Sequence, residues 1–154
     1  MVNDLFITSV ATSITEDLIN ILYRLKQQKQ GITEESCTIN GFQTNSLHNE
    51  KYMQPYLDYI ISLLPSNKLK HRWFHMIDYN KTGYQKEHNH IKTELYSYII
   101  YLEDSNSGIT YLNLDNNKIF IKPIKNMIIF FPAYIMHGGY EVTDNKKVAV
   151  GALI

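Results

Sequence analysis

The spacing of apolar residues changes period along the chain. Leu18, Ile21, Leu22 and Leu25 recur at three- and four-residue intervals, which on a helix gathers them into one stripe and leaves the opposite face polar. Ser13 and Glu16 have the spacing of a capping box at the start of this helix, and Gly31 supplies a stop after it. A second helix is predicted by Leu57, Ile60, Ile61 and Leu64, with Pro55 in its first turn and Pro65 ending it.

From Lys70 onward the helical period gives way to short β-branched and aromatic runs separated by turn residues. Strands are expected at 72–79, 96–102, 109–112, 118–121, 127–131 and 148–153, and short pieces within 37–44 add edge strands. The turns between them are Asn80-Lys81-Thr82-Gly83, Ser105-Asn106-Ser107-Gly108, Asp115-Asn116-Asn117 and Thr143-Asp144-Asn145. Helices first and strands second predict a mainly β, α+β domain: a sandwich or jelly roll with the helices packed on one sheet.

Composition narrows this picture in three ways. A chain of 154 residues, 44% hydrophobic and 19% charged, suits one globular domain spanning 1–154, with helical support over about 1–69 and a β core over about 70–154. Fifteen basic residues balance fifteen acidic ones, so no net field draws the protein to nucleic acid or anionic lipid. No apolar run is long enough to cross a bilayer, and MVNDLFITSV lacks the regions of a signal peptide, so a cytoplasmic location is expected. Cys37 is the one cysteine, which excludes an intrachain disulfide and a cysteine-built zinc site. Abundant Asn, Lys, Ile and Tyr beside only two arginines suggest an AT-rich genome, compatible with a bacterium, an endosymbiont or a bacteriophage.

Candidate chemistry lies in three of the six histidines. His88 and His90 stand two apart in GYQKEHNHIK, so in an extended segment both project to one face and can chelate one ion. His137 follows the apolar run IIFFPAYIM and can be delivered from across a barrel to the same point. Three imidazoles leave coordination positions open for other ligands. An HxH pair alone is a common surface feature, and histidine also serves as a solvated or pH-sensitive residue.

The wider context resembles the Fe(II)- and 2-oxoglutarate-dependent oxygenases, in particular small bacterial and phage-type members whose first metal motif is HxH. The resemblance runs through GFQTNSL at 41–47, WFHMIDYNKTGY at 73–84, HNH with the strand SYIIYLE after it, IIFFPAYIMHGGYEV and the last strand. It implies a double-stranded β-helix, Fe(II) held by His88, His90 and His137, 2-oxoglutarate as cosubstrate, and O2. In the family a basic residue about ten positions after the distal histidine binds the far carboxylate of 2-oxoglutarate. Here Lys147 lies ten after His137, with Lys146 one residue off. Lys147, Ala149 and Gly151 share one strand face, and small residues there would leave space for a cosubstrate inside the barrel, which selects Lys147. A lysine in place of the usual arginine offers a point charge instead of a fork. The resemblance also gives Tyr101 and Tyr79 places beside the cosubstrate and sets Tyr84 near the metal motif.

The departure from the family pattern is the carboxylate ligand, because His90 stands where Asp or Glu is usual. Glu87 has the wrong parity to join His88, and Glu94 is the better spare. The expected function is hydroxylation of an unidentified substrate, a peptidyl or prolyl side chain or a small metabolite. The alternative is a cupin-type metalloprotein without 2-oxoglutarate, in which Glu94 would touch the metal. A noncatalytic β-sandwich module ranks below both.

Overall fold

The structure, a computed structural model, describes residues 5–32, 37–66, 68–90 and 93–154. Strand β1 (Phe6–Ser9) precedes helix α1 (Thr12–Gln27), β2 (Gly31–Ile32) and β3 (Thr38–Thr44) follow, and a single 3-10 turn at Lys51–Met53 leads into α2 (Gln54–Ser62). The remaining strands are β4 (His71–His88), β5 (Tyr96–Tyr101), β6 (Thr110–Leu114), β7 (Asn117–Ile121), β8 (Met127–Pro132), β9 (His137–Gly139) and β10 (Lys146–Leu153). They form one curled antiparallel sheet in the order β1-β8-β5-β10-β4-β9-β6-β7, with β3 also paired to β4 and β2 to β3.

Curling gives the sheet two faces with separate cores. Outside, Leu18, Ile21, Leu22 and Leu25 of α1 and Leu57 and Ile60 of α2 pack with Phe74, Met76, Tyr98, Ile100 and Ala149. Inside the curl, Ile77, Tyr79, Tyr101, Leu112, Ile129, Phe131 and Val148 form the second cluster. Strands β4, β5, β8 and β10 supply both, because alternate side chains point to opposite faces. This is the jelly-roll arrangement expected, with both helices on one sheet.

Several local expectations are corrected. Residues through 69 hold a strand that was not expected, β1, which pairs with β8, whereas β3, the strand expected within 37–44, pairs with β4. Ser13 does not cap α1; the N-cap is Ala11 without a side-chain bond, and Glu16 instead reaches Lys125 Nζ at 2.6 Å. Gly31 opens β2, and the left-handed residue that ends the helix is Lys29, at φ 55°. The Asn80–Gly83 segment is no chain reversal. It bulges within β4 opposite Asn40, whose Nδ2 donates to the Lys81 carbonyl at 2.8 Å, so β4 runs on for 18 residues. Asp115 and Asn116, both at positive φ, do form the two-residue turn joining β6 and β7.

The long β4 positions the site. Its first part pairs with β10, while its last residues pair with β9, so His88 lies directly opposite His137.

Candidate metal centre

Three imidazoles converge inside the curl. His88 closes β4, His137 opens β9, and His90 is held two residues past β4 by its N–H donating to the Ala133 carbonyl at 2.8 Å. Their candidate ligand nitrogens all lie within 4.8 Å of one another. Ring centroids are 4.3 Å apart for His88 and His137, 4.8 Å for His88 and His90, and 5.4 Å for His90 and His137.

Hydrogen bonding selects the tautomers. His88 Nδ1 meets the Lys86 carbonyl at 2.7 Å and His137 Nδ1 meets that of Ile135 at 2.9 Å. A carbonyl only accepts, so each Nδ1 carries the proton and leaves the Nε2 lone pair for a ligand. Burial lowers the pKa of all three, to about 4 for His90 and about 3 for His137, keeping them neutral as ligands must be. The Phe131 ring packs 4.7 Å from His137 and the Trp73 indole 5.0 Å from His90, restricting both imidazoles. Two rings with committed Nδ1 atoms, converging in a protected pocket, fit a divalent transition metal.

No carboxylate joins the cluster among the described residues. Glu94, the spare, accepts from the Thr93 N–H at 3.0 Å instead. Glu87 is exposed and accepts from Asn113 Nδ2 at 2.8 Å.

The imidazoles line a cavity of about 310 Å³, near the lower end of ligand-pocket sizes. The lysine in its wall is Lys146, only 4% exposed. Its Nζ lies 5.1 Å from the Tyr79 ring centroid and fills the space left by Gly139, where a Cβ would come within 3.0 Å of it. No carboxylate pairs with it among the described residues, and burial lowers its pKa to about 8.

This corrects the expectation that Lys147 faces the interior. The parity was right, but the face was the outer one. Ala149 packs into the helix-side core, and Gly151 makes room for the Tyr98 ring, which a Cβ would meet at 2.4–2.5 Å. Lys147 therefore sits beneath α1, with Nζ 3.0 Å from Glu103 Oε1 and 3.8 Å from Asp78 Oδ1; Asp78 is also bonded by Lys26 at 2.9 Å. Burial lowers the Lys147 pKa, but Glu103 and Asp78 outweigh it and hold the group above its ordinary value.

Of the tyrosines, Tyr79 lines the cavity and donates to Gln85 Oε1 at 2.6 Å. Tyr101 stands behind the wall, its hydroxyl donating at 2.5 Å to Thr110 Oγ1, and Thr110 is the lining residue. Tyr84 is exposed. Sequence reasoning missed Trp73, His75, Ser97, Gln85 and Thr110, all in the wall. Trp73 and His75 follow from Tyr79 by counting back in twos, and Ser97 from Tyr101 likewise. Thr110 carries no such signal, because the pairing of β6 with β9 sets its position.

No protein-family model matches the sequence, and no curated protein matches it. The fold does have solved counterparts. The chain is similar to a prolyl-4-hydroxylase from Pseudomonas putida at a TM-score of 0.77 and 11% identity, covering 98% of this chain and 92% of that one. It is similar to a prolyl hydroxylase from Trichoplax adhaerens, solved with a hypoxia inducible factor peptide fragment, at 0.74 and 13%, covering 97% and 83%. A viral collagen prolyl hydroxylase from Paramecium Bursaria Chlorella virus-1, solved as its 2-oxoglutarate complex, matches at 0.65 and 16%, covering 97% and 94%. The chain thus has the double-stranded β-helix fold of these structures.

Proposed function

We propose that the chain is an Fe(II)- and 2-oxoglutarate-dependent dioxygenase that hydroxylates a small molecule or a peptidyl side chain. The observation that carries this reading is the buried Lys146 ammonium, without a carboxylate partner among the described residues, in the same cavity as the three imidazoles. An isolated buried charge is costly, and an anionic ligand removes the cost. A metal-binding sandwich with no anionic cosubstrate has no use for it.

His88, His90 and His137 would hold the metal through neutral nitrogens. When bound, Fe(II) supplies activation of O2 coupled to decarboxylation of 2-oxoglutarate, yielding succinate and carbon dioxide. The chain itself binds, orients and shields. Lys146 neutralises the far carboxylate of the cosubstrate, and Tyr79, held by Gln85, forms the wall beside it. Ile77, Ile99, Val148 and Val150 keep the surroundings apolar, which strengthens the ion pair and limits access of water. The fold shared with three prolyl hydroxylases supports the reaction class, and the peptide in the Trichoplax structure supports a peptide among candidate substrates.

The test is addition of Fe(II) and 2-oxoglutarate without oxygen. The expected result is a visible charge-transfer band, followed by succinate once air enters; absence of both overturns the reading.

A further inference from the structure

Ser97 has a buried hydroxyl that the fold leaves without work. It is 2% exposed, lies in the cavity wall, and its Oγ has no hydrogen-bond partner among the described residues. Buried hydroxyls are nearly always bonded, so an orphan facing a cavity points to a ligand. Its place in the sheet is informative. Ser97 pairs with Phe131 on one side and with Ala152 on the other, and Ala152 pairs with Trp73. Phe131 packs on His137 and Trp73 on His90, so the hydroxyl sits between the two aromatic rings that brace the imidazoles. Lys146 pairs with Tyr79, six residues along β4 from Trp73, a run of about 20 Å. A five-carbon diacid held by Lys146 is too short to reach Ser97.

The charges in the cavity indicate what Ser97 would meet. No Asp or Glu lines the cavity among the described residues. Three neutral imidazoles add no charge, so a divalent ion and Lys146 outweigh the two negative charges of 2-oxoglutarate by one. A carboxylate in place of His90 would cancel that excess. Glu94 interacts with His90 electrostatically and accepts a hydrogen bond from the Trp73 side chain, but it is only partly buried, outside the cavity wall, and water screens it. In a low-dielectric pocket the remaining positive charge favours an anion.

Resting on the iron and 2-oxoglutarate reading, we infer that the primary substrate presents a carboxylate to this end of the cavity and that the Ser97 hydroxyl donates a hydrogen bond to it. Ser97 is then a specificity-determining residue, and the charge left by His90 is part of the same selectivity.

The experiment uses the full chain loaded with cobalt(II) and saturating 2-oxoglutarate, titrated with acetate or with acetamide, its neutral counterpart. Binding is followed by calorimetry and by the visible cobalt bands. Acetate is expected to bind at least about tenfold more tightly than acetamide, with Ser97→Ala lowering acetate affinity about tenfold and Ser97→Thr, which keeps the hydroxyl, retaining it. His90→Asp is expected to shrink the preference for the anion. Equal binding of the two probes overturns the inference. So does a Ser97→Ala protein whose acetate affinity is unchanged, or which loses 2-oxoglutarate affinity instead. A cobalt protein that gives no response to 2-oxoglutarate removes the function reading, and this inference with it.

Discussion

The two faces of β10 carry adjacent lysines with opposite surroundings. Outward, Lys147 is enclosed by Glu103, Asp78 and the Tyr23 ring, and Asp78 is shared with Lys26 of the covering helix. Inward, Lys146 is more deeply buried and, among the described residues, has the face of Tyr79 and no carboxylate beside it. A compensated cluster is a structural device, since its charges are satisfied whether or not anything binds. An uncompensated cation beside unprotonated imidazoles is destabilising until a ligand arrives, and that is how a binding site differs from a scaffold.

Lys146→Met makes the sharpest test of that contrast. It should weaken 2-oxoglutarate binding by at least about 30-fold in calorimetry, the cost of deleting one partner of a buried charge pair. The same change should raise the melting temperature of the ligand-free protein, because it removes an unpaired buried charge. A ligand-free protein that instead melts lower would mean that the ammonium has a structural partner.

Gly151→Ala probes the outer face. The added methyl meets the ring and hydroxyl of buried Tyr98, so a loss of about 1–3 kcal/mol in denaturant unfolding is expected. Full stability would show that the Tyr98 ring is free to shift.

Acidity separates the faces by the direction of its effect. Lys146 has a folded pKa of about 8, below its ordinary 10.5, so it loses its charge as pH rises through 8, and 2-oxoglutarate affinity should fall about tenfold per pH unit above that. Between pH 8 and 10.5 the unfolded chain binds more protons at this position, so its contribution to ligand-free stability rises with pH. The cavity histidines share that sign at lower pH. With His90 at about 4 and His137 at about 3, stability is fully present above about 6.5 and is lost as pH falls toward those values. Flat 2-oxoglutarate affinity between pH 7 and 9.5 would remove Lys146 from the binding site.

Lys147→Met should produce the smallest change at the site, leaving 2-oxoglutarate affinity unaltered, while unfolding loses about 1–3 kcal/mol because Glu103 is left without its cation. A large loss of affinity would return the cosubstrate role to Lys147.

Much of this could be seen in the chain before its structure. Period-3.6 and period-2 patterns found both helices and six strands, because burial of one face leaves a direct mark on residue order. His88, His90 and His137 were legible from their spacing: two stand two apart, which in an extended segment gives one face, and the third follows an apolar strand. The strands β1, β2 and β9 were missed, being four, two and three residues long. The turn residues of Asn80–Gly83 became a bulge, since Asn40 across the ladder satisfies their backbone.

The order of residues alone determined that Lys146 and Lys147 face opposite ways and that Lys147 shares its face with Ala149 and Gly151. It could not say which face is the interior. Small residues leave space equally well for a ligand or for a neighbouring ring, and here Tyr98 and the two helices take that space. Only the curl of the sheet, set by which strands pair and where the helices pack, turned Lys146 inward beside the imidazoles and left Ser97 facing the same cavity.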